Sequence, residues 1–221
     1  MNTRSALVVG ASGLVGSHLL RLLLEDDTYS CIVVLTRKSL DFEHPKLVER
    51  VVNFDQLDQH QDLMKAEDVF CCLGTTIKAA GSQEAFRKVD FTYVVQIAAL
   101  SQKNGARQFL LISSLGADIH SRIFYNRVKG EMEAAVKKIP LAAARIFRPS
   151  LLLGHRRESR FAETAGIFLV KTFSVLLFGS LRRYRGIHAQ TVAKAMLGAA
   201  EQPLEGFQIY ESETIQLLGQ S

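Results

Sequence analysis

Two constellations in this sequence combine residue types and spacings that can do chemistry. Tyr125 and Lys129, in the run YNRVK, stand at i and i+4, so a helix over this segment sets phenol and ammonium side by side on one face. A positive charge beside the phenol favours phenolate and draws the group below its reference pKa of about 10, toward use as an acid or base. Upstream, Ser113 and Ser114 close a strand-like run. A hydroxyl there can hold the oxygen of a substrate carbonyl while the tyrosine supplies the proton. The pair Tyr125/Lys129 by itself reads better as two surface residues of a helix, and the serines at a strand end turn the spacing toward catalysis.

The second constellation is Gly10-Ala-Ser12-Gly13-Leu14-Val15-Gly16, placed between an apolar run (6–9) and a leucine-rich helical pattern (14–24). Glycines permit a tight turn and let backbone N–H groups approach a phosphate closely, and the N-terminus of the helix that follows faces the anion. At the first strand-to-helix turn this spacing points to the pyrophosphate of a dinucleotide; the alternative is a glycine-rich turn that binds nothing. About twenty residues past Gly16, where a protein preferring NAD places an acid on the ribose 2′-hydroxyl, stand Arg37 and Lys38. A planar guanidinium suits a 2′-phosphate, so NADP(H) is expected, with NADPH preferred over NADH; a solvated basic strand end is the other reading. Asp55 follows a third strand-like run and can accept from the adenine amine or serve as a loop cap.

These residues need a frame that brings strand ends together. Apolar or β-branched runs at 6–9, 31–36, 47–52, 68–73, 108–113 and 143–147 alternate with helical patterns at 14–24, 83–103, 125–138 and 190–200. Such alternation builds parallel βαβ units, and the predicted fold is α/β, a Rossmann-type doubly wound parallel sheet in a single domain, 1–221. Ligands of open parallel sheets sit beyond the carboxyl ends of the strands, which here are Gly10, Arg37, Asp55, Leu73 to Thr76, and Ser113–Ser114. The segment 155–185 reads as a substrate-side cap. Its Arg156, Arg157 and Arg160 either receive an anionic group or form a solvated loop, and Phe161, Phe168, Phe173 and Phe178 either line an apolar pocket or pack as core.

Composition narrows the function classes. With 48% hydrophobic and 22% charged residues the chain is ordinary for a globular protein. Its 27 basic residues are scattered and offset by 22 acids, leaving +5 with no nucleic-acid module, so no nucleic-acid partner is expected. Cys31, Cys71 and Cys72 have neither disulfide nor zinc spacing and read as small core residues; no metal set stands out. The N-terminal run enters a strand without a signal-peptide pattern, which makes the cytoplasm the expected compartment. The most lipid-like stretch, 166–179, is too short to span a bilayer and carries Lys171, so no membrane insertion is expected. His18, among leucines of the first helical pattern, reads as a packing residue, and His120 adds nothing a Ser/Tyr/Lys set lacks.

Through GASGLVG, LISS and Y-x-x-x-K the chain resembles the short-chain dehydrogenase/reductase superfamily in its atypical branch. More narrowly it is similar to the Tat-interacting-protein group of NAD(P)-dependent oxidoreductases, since CCLGTT (71–76), KVD (88–90), SSLGAD (113–118), VKGEMEA (128–134), FRPSLLLG (147–154) and RRESR (156–160) match that group in order. The resemblance implies a Ser/Tyr/Lys site in which Tyr125 is the acid/base and Lys129 bridges the nicotinamide ribose while lowering the tyrosine pKa. Ser114 is the first choice for the serine, with Ser113 as the alternative. It further implies that Leu73, Gly74, Thr75 and Thr76 pass along the adenosine and ribose, and that Arg148, Pro149 and Ser150 lie near the nicotinamide. The interval from Ser114 to Tyr125 is shorter than in sugar-modifying members, which disfavours nucleotide-sugar epimerase chemistry.

The expected function is therefore an NADPH-dependent reductase or dehydrogenase of a small carbonyl or alcohol, monomeric or homodimeric. Two rivals remain: an NADP(H)-binding regulator or scaffold with little turnover, and an isomerase or dehydratase that recycles its cofactor.

Overall fold

The computed structural model describes residues 3–154, 185–203 and 206–220. All but the last residue of the cap expected at 155–185 falls outside these ranges, and with it the arginines and phenylalanines singled out there. The strands are β1 (Arg4–Val9), β2 (Tyr29–Thr36), β3 (Leu47–Val51), β4 (Asp68–Cys71), β5 (Gln108–Ile112), β6 (Ala143–Arg148), β7 (Leu152–Leu153), β8 (Ile187–His188) and β9 (Gly206–Glu211). Seven of them form one sheet in the order β3-β2-β1-β4-β5-β6-β9, and every neighbour pairing in it is parallel. Strands β7 and β8 make a separate parallel pair.

The order has a functional consequence. From β1 the chain winds outward through β2 and β3, then returns to lay β4 on the other side of β1, so the direction of winding reverses between β1 and β4. That reversal opens a crevice at their carboxyl ends. Register brings Val9 opposite Cys71, and Cys72 N–H donates to the Val9 carbonyl at 2.8 Å, so Gly10 and Cys72 leave the sheet together.

Strand alternation sorts side chains to two faces, and each face has its own core. Ala6, Val8, Ile32, Val34, Phe70 and Leu110 point to one, where α1 (Leu14–Glu25) packs with Val15, Leu19 and Leu23 against the alanine-rich face of helix Ala189–Glu201. Leu7, Val9, Leu35, Val69, Phe109 and Leu111 point to the other. There they meet Val94 and Ile97 of helix Tyr93–Lys103 and Met132 and Val136 of helix Phe124–Lys137. Leu19 and Leu23 are 0% exposed, and burying a leucine fully stabilises by about 1.5–3 kcal/mol.

Between β4 and β5 the chain forms α2 (Ile77–Ala80), α3 (Gln83–Arg87), a π turn (Lys88–Thr92) and α4 (Tyr93–Lys103). The single helix expected over 83–103 thus contains a wider turn, a feature that is rare and concentrates at functional sites. Helix α5 is Phe124–Lys137, α6 is Ala189–Glu201 and α7 is Ser212–Leu218. Strand β9 and α7 were absent from the expected elements. β9 is an edge strand whose residues are mostly exposed or half-buried, so it lacks the continuous apolar run that marks its neighbours.

At the amino ends of the strands a polar cluster ties the layers together. The fully buried Asp68 carboxylate accepts from Arg4 Nη1, Tyr29 OH, Arg107 Nη2 and Gln108 Nε2 at 2.7–3.0 Å. Arg4, Arg107 and Gln108 also donate to the Ala200 carbonyl near the end of α6, where cations oppose the negative end of the helix dipole.

Candidate active site

The β1–α1 turn is closed by glycines that do different work. Gly10 has φ +87°, and a Cβ there would lie 2.6 Å from the Cys72 carbonyl, so only glycine lets β1 and β4 exit side by side. At Gly16 a Cβ would lie 2.2 Å from the Gly10 oxygen, so this residue lets α1 begin directly beneath the turn. Gly13 is the N-cap of α1, in extended backbone, and a Cβ on it would meet nothing closer than the Gly10 oxygen at 3.1 Å. Ser12 and Gly13 are exposed, Leu14 is half-buried and Val15 is buried. The first turn of α1 holds no acidic side chain and its cap offers no side-chain acceptor.

Beside this turn runs the loop leaving β4. Leu73, Thr75 and Thr76 are half-buried and Gly74 is exposed; Thr76 caps α2 by accepting the Ala79 N–H at 3.1 Å, and Thr75 N–H donates to Asp90 Oδ2 at 2.9 Å. A Cβ on Gly74 would come within 3.6 Å of Asp90 Oδ1 and 3.9 Å of Lys129 Nζ. The loop therefore lies directly over an ion pair, Lys129 Nζ to Asp90 Oδ1 at 2.8 Å, whose side chains are 3% and 0% exposed. Burial alone would pull the lysine pKa down, but the attraction of Asp90, with Tyr125 adding to it, holds it above the ordinary lysine value.

Helix α5 carries Tyr125 and Lys129 one turn apart, as the spacing requires. The half-buried tyrosine ring lies 5.3 Å from the Phe86 ring, which also packs on Phe124. The helix sits close to the loop after β5 because Gly130 has no side chain: a Cβ there would lie 2.4 Å from the backbone of Asp118 and Ile119. In that loop the hydroxyl oxygens of Ser113 and Ser114 are both buried and have no hydrogen-bond partner among the described residues. Buried polar groups are nearly always paired, so two adjacent hydroxyls left open stand out at this strand end. Pro149 is buried, and its carbonyl accepts from the Leu115 N–H at 2.9 Å, which sets the end of β6 beside the serines.

Other expected site residues lie further out. Arg37 and Lys38 are exposed just past β2, and no ion pair engages them among the described residues. Asp55 is not the loop cap: Asn53 Oδ1 accepts the Asp55 N–H at 3.0 Å. The Asp55 carboxylate instead accepts from Tyr93 OH and pairs with Lys88 at 2.6 Å, contacts that hold its pKa below the ordinary carboxylate value, Lys88 foremost. Arg148 Nε donates to Glu133 Oε1 at 3.0 Å and Nη1 to Glu211 Oε1 at 3.0 Å, so its guanidinium binds α5 and β9. Ser150 is buried in a hydroxyl chain with Ser212.

Asp90 and its contacts were missed. The run KVD gave no role to its aspartate, although a carboxylate inside an apolar helical pattern is the kind of residue that is buried only when paired. Among the described residues no group of three or more His, Cys, Asp or Glu gathers as for a metal, and no helix is long and apolar enough to cross a membrane. The three cysteines are free, Cys71 buried and the others half-buried.

The glycine-walled turn, the open N-terminus of α1 and the orphan hydroxyls fit a dinucleotide lying across the β1/β4 crevice. Residues 6–211 match the model of the NAD dependent epimerase/dehydratase family. Protein HTATIP2 of Rattus norvegicus is 36% identical over 99% of this chain and 90% of its own length. Protein FMP52, mitochondrial, of Candida albicans is 30% identical over 91% of this chain and 90% of its own, and its name gives a compartment other than the cytoplasm expected above. Among solved structures, the Bordetella bronchiseptica enzyme WbmH in complex with NAD+ superposes with a TM-score of 0.71 at 14% identity, covering 99% of this chain and 80% of that one.

Proposed function

This chain belongs to the NAD dependent epimerase/dehydratase family, and from that premise we propose that it is an NADP(H)-dependent oxidoreductase of a small carbonyl or alcohol. The observation that carries the reading is a buried Lys129, one helical turn from Tyr125, on a helix packed against the loop after β5, where two buried serine hydroxyls have no hydrogen-bond partner among the described residues. A bound nicotinamide supplies or takes up the hydride. In the reducing direction the Tyr125 phenol gives its proton to the carbonyl oxygen as that oxygen gains charge. The Ser114 hydroxyl donates a hydrogen bond to the same oxygen, with Ser113 as the alternative. Lys129 would hold the ribose beside Tyr125.

The first-turn N–H groups of α1 and the bare Gly13 would receive the pyrophosphate. Arg37 and Lys38, exposed and free of carboxylate partners among the described residues, favour NADP(H) over NAD(H). Native mass spectrometry of the purified protein, followed by a carbonyl and alcohol panel read by nicotinamide absorbance, tests the proposal. Bound NADP(H) with turnover supports it. Bound dinucleotide with silence across the panel would favour a regulator, and tight cofactor with no net consumption an isomerase or dehydratase.

A further inference from the structure

A buried ammonium keeps its proton only where something compensates the charge. The ionisable groups that act on Lys129 are Asp90 from the π turn, Cys71 from β4 and Tyr125 from its own helix. Cys71 brings no charge at neutral pH, because burial pushes its thiol up to about 12. One turn further along α5, Glu133 is paired with Arg148, and Glu131 with Arg87 of α3. Asp90 is the carboxylate on the lysine, fully buried, with one oxygen 2.8 Å from Nζ and the other accepting the Thr75 N–H at 2.9 Å. A buried ion pair adds little net stability compared with an apolar pair of the same size. What it does supply here is a fixed charge and a tie between α5, the π turn and the loop leaving β4.

We propose that Asp90 is a positioning residue of this site: it keeps Lys129 protonated and directed at the loop after β4, and holds that loop through Thr75. The inference rests on the reading of Lys129 as the residue that would meet the ribose beside Tyr125. Without the carboxylate, burial governs the lysine and its pKa in the folded state falls below the unfolded value. The unfolded chain then binds more protons, so stability rises with pH. In the wild type the folded-state pKa is raised, so lysine stays protonated in both states below its ordinary range and adds no slope there.

The experiment measures melting temperature from about pH 7 to about pH 9.5 for the wild type, Asp90→Asn, Lys129→Met and Asp90→Asn/Lys129→Met. NADPH titration follows over the same range. Relative to the wild type, Asp90→Asn should gain melting temperature as pH rises, and the double variant should lose that gain because the titrating group is gone. NADPH affinity of Asp90→Asn should fall with pH by up to about tenfold per unit once the lysine deprotonates, while the wild type stays flat. An Asp90→Asn profile parallel to the wild type, or a slope that persists in the double variant, overturns the role of Asp90. If Lys129→Met binds NADPH as tightly as the wild type while the melting slopes behave as expected, the ribose contact fails and the hold of Asp90 on the ammonium stands.

Discussion

Replacing Gly13 by valine separates the ligand from the fold more cleanly than any other change in the glycine turn. Gly13 has φ −76° and ψ 172°, a conformation open to any residue, and the nearest atom to a new Cβ is the Gly10 oxygen at 3.1 Å, which needs to give by a few tenths of an ångström. Loss of a favourable N-cap residue costs about 1 kcal/mol, or about 2–4 °C of melting temperature in a chain of this size. The branched side chain would stand where a phosphate must reach the N–H groups of α1. Each hydrogen bond to a charged group contributes about 1.5–3 kcal/mol, so losing two weakens binding by about 3–6 kcal/mol, roughly 10²- to 10⁴-fold. Calorimetric or fluorescence titration with NADPH beside a thermal melt reads both quantities. Gly16→Ala is the contrasting control, since its Cβ would lie 2.2 Å from the Gly10 oxygen and should damage the fold itself. A folded Gly13→Val protein with wild-type affinity would place the dinucleotide elsewhere and refute the reasoning.

Three further perturbations probe other parts of the molecule. Tyr125→Phe should leave NADPH affinity nearly intact and lower turnover by about 10²- to 10⁴-fold in a steady-state assay; full activity would remove the tyrosine from the mechanism. Arg37→Ala should weaken NADPH by about ten- to a hundredfold and NADH little, and equal losses for both would end the 2′-phosphate assignment. Asp68→Ala strips the anion from Arg4, Arg107, Tyr29 and Gln108. Because the Arg107 side chain is 51% exposed, the destabilisation should fall near the lower end of about 3–5 kcal/mol by denaturant unfolding, with NADPH affinity of the folded fraction unchanged.

Strands β1, β4, β5 and β6 were legible because most of their residues are buried on both faces, so Ala6 to Val9 and Phe109 to Ile112 read as unbroken apolar runs. Strand β9 was not, since an edge strand with one neighbour keeps polar residues such as Gln208 and needs no such run. In the candidate site, the turn at Gly10, Gly13 and Gly16 and the one-turn separation of Tyr125 and Lys129 were legible from spacing, because a turn and a helix fix local geometry over a few residues. Asp90 was not, since what buries it is Lys129, thirty-nine positions away on another helix. Arg148 shows the same limit from the other side. Its place at the end of β6 was legible, but not that Glu133 and Glu211 engage its guanidinium.

The two ends of the sheet treat polar groups in opposite ways, and that contrast bears on where function resides. At the amino ends Asp68 is saturated by four donors, and the network closes on α6 with little left for a ligand to bind. At the carboxyl ends Ser113 and Ser114 keep buried hydroxyls without partners among the described residues, and the first turn of α1 carries no acidic side chain. Leaving a buried hydroxyl unpaired costs about 1–3 kcal/mol, a cost the fold can carry because its cores and the Asp68 cluster lie elsewhere. Under the proposed function, the hydroxyls left open are those at which a substrate oxygen would arrive. On this argument a substitution at Ser114 should be read in turnover with little loss of stability, and Ser114→Ala, which removes an unsatisfied group, should melt at or slightly above the wild-type temperature.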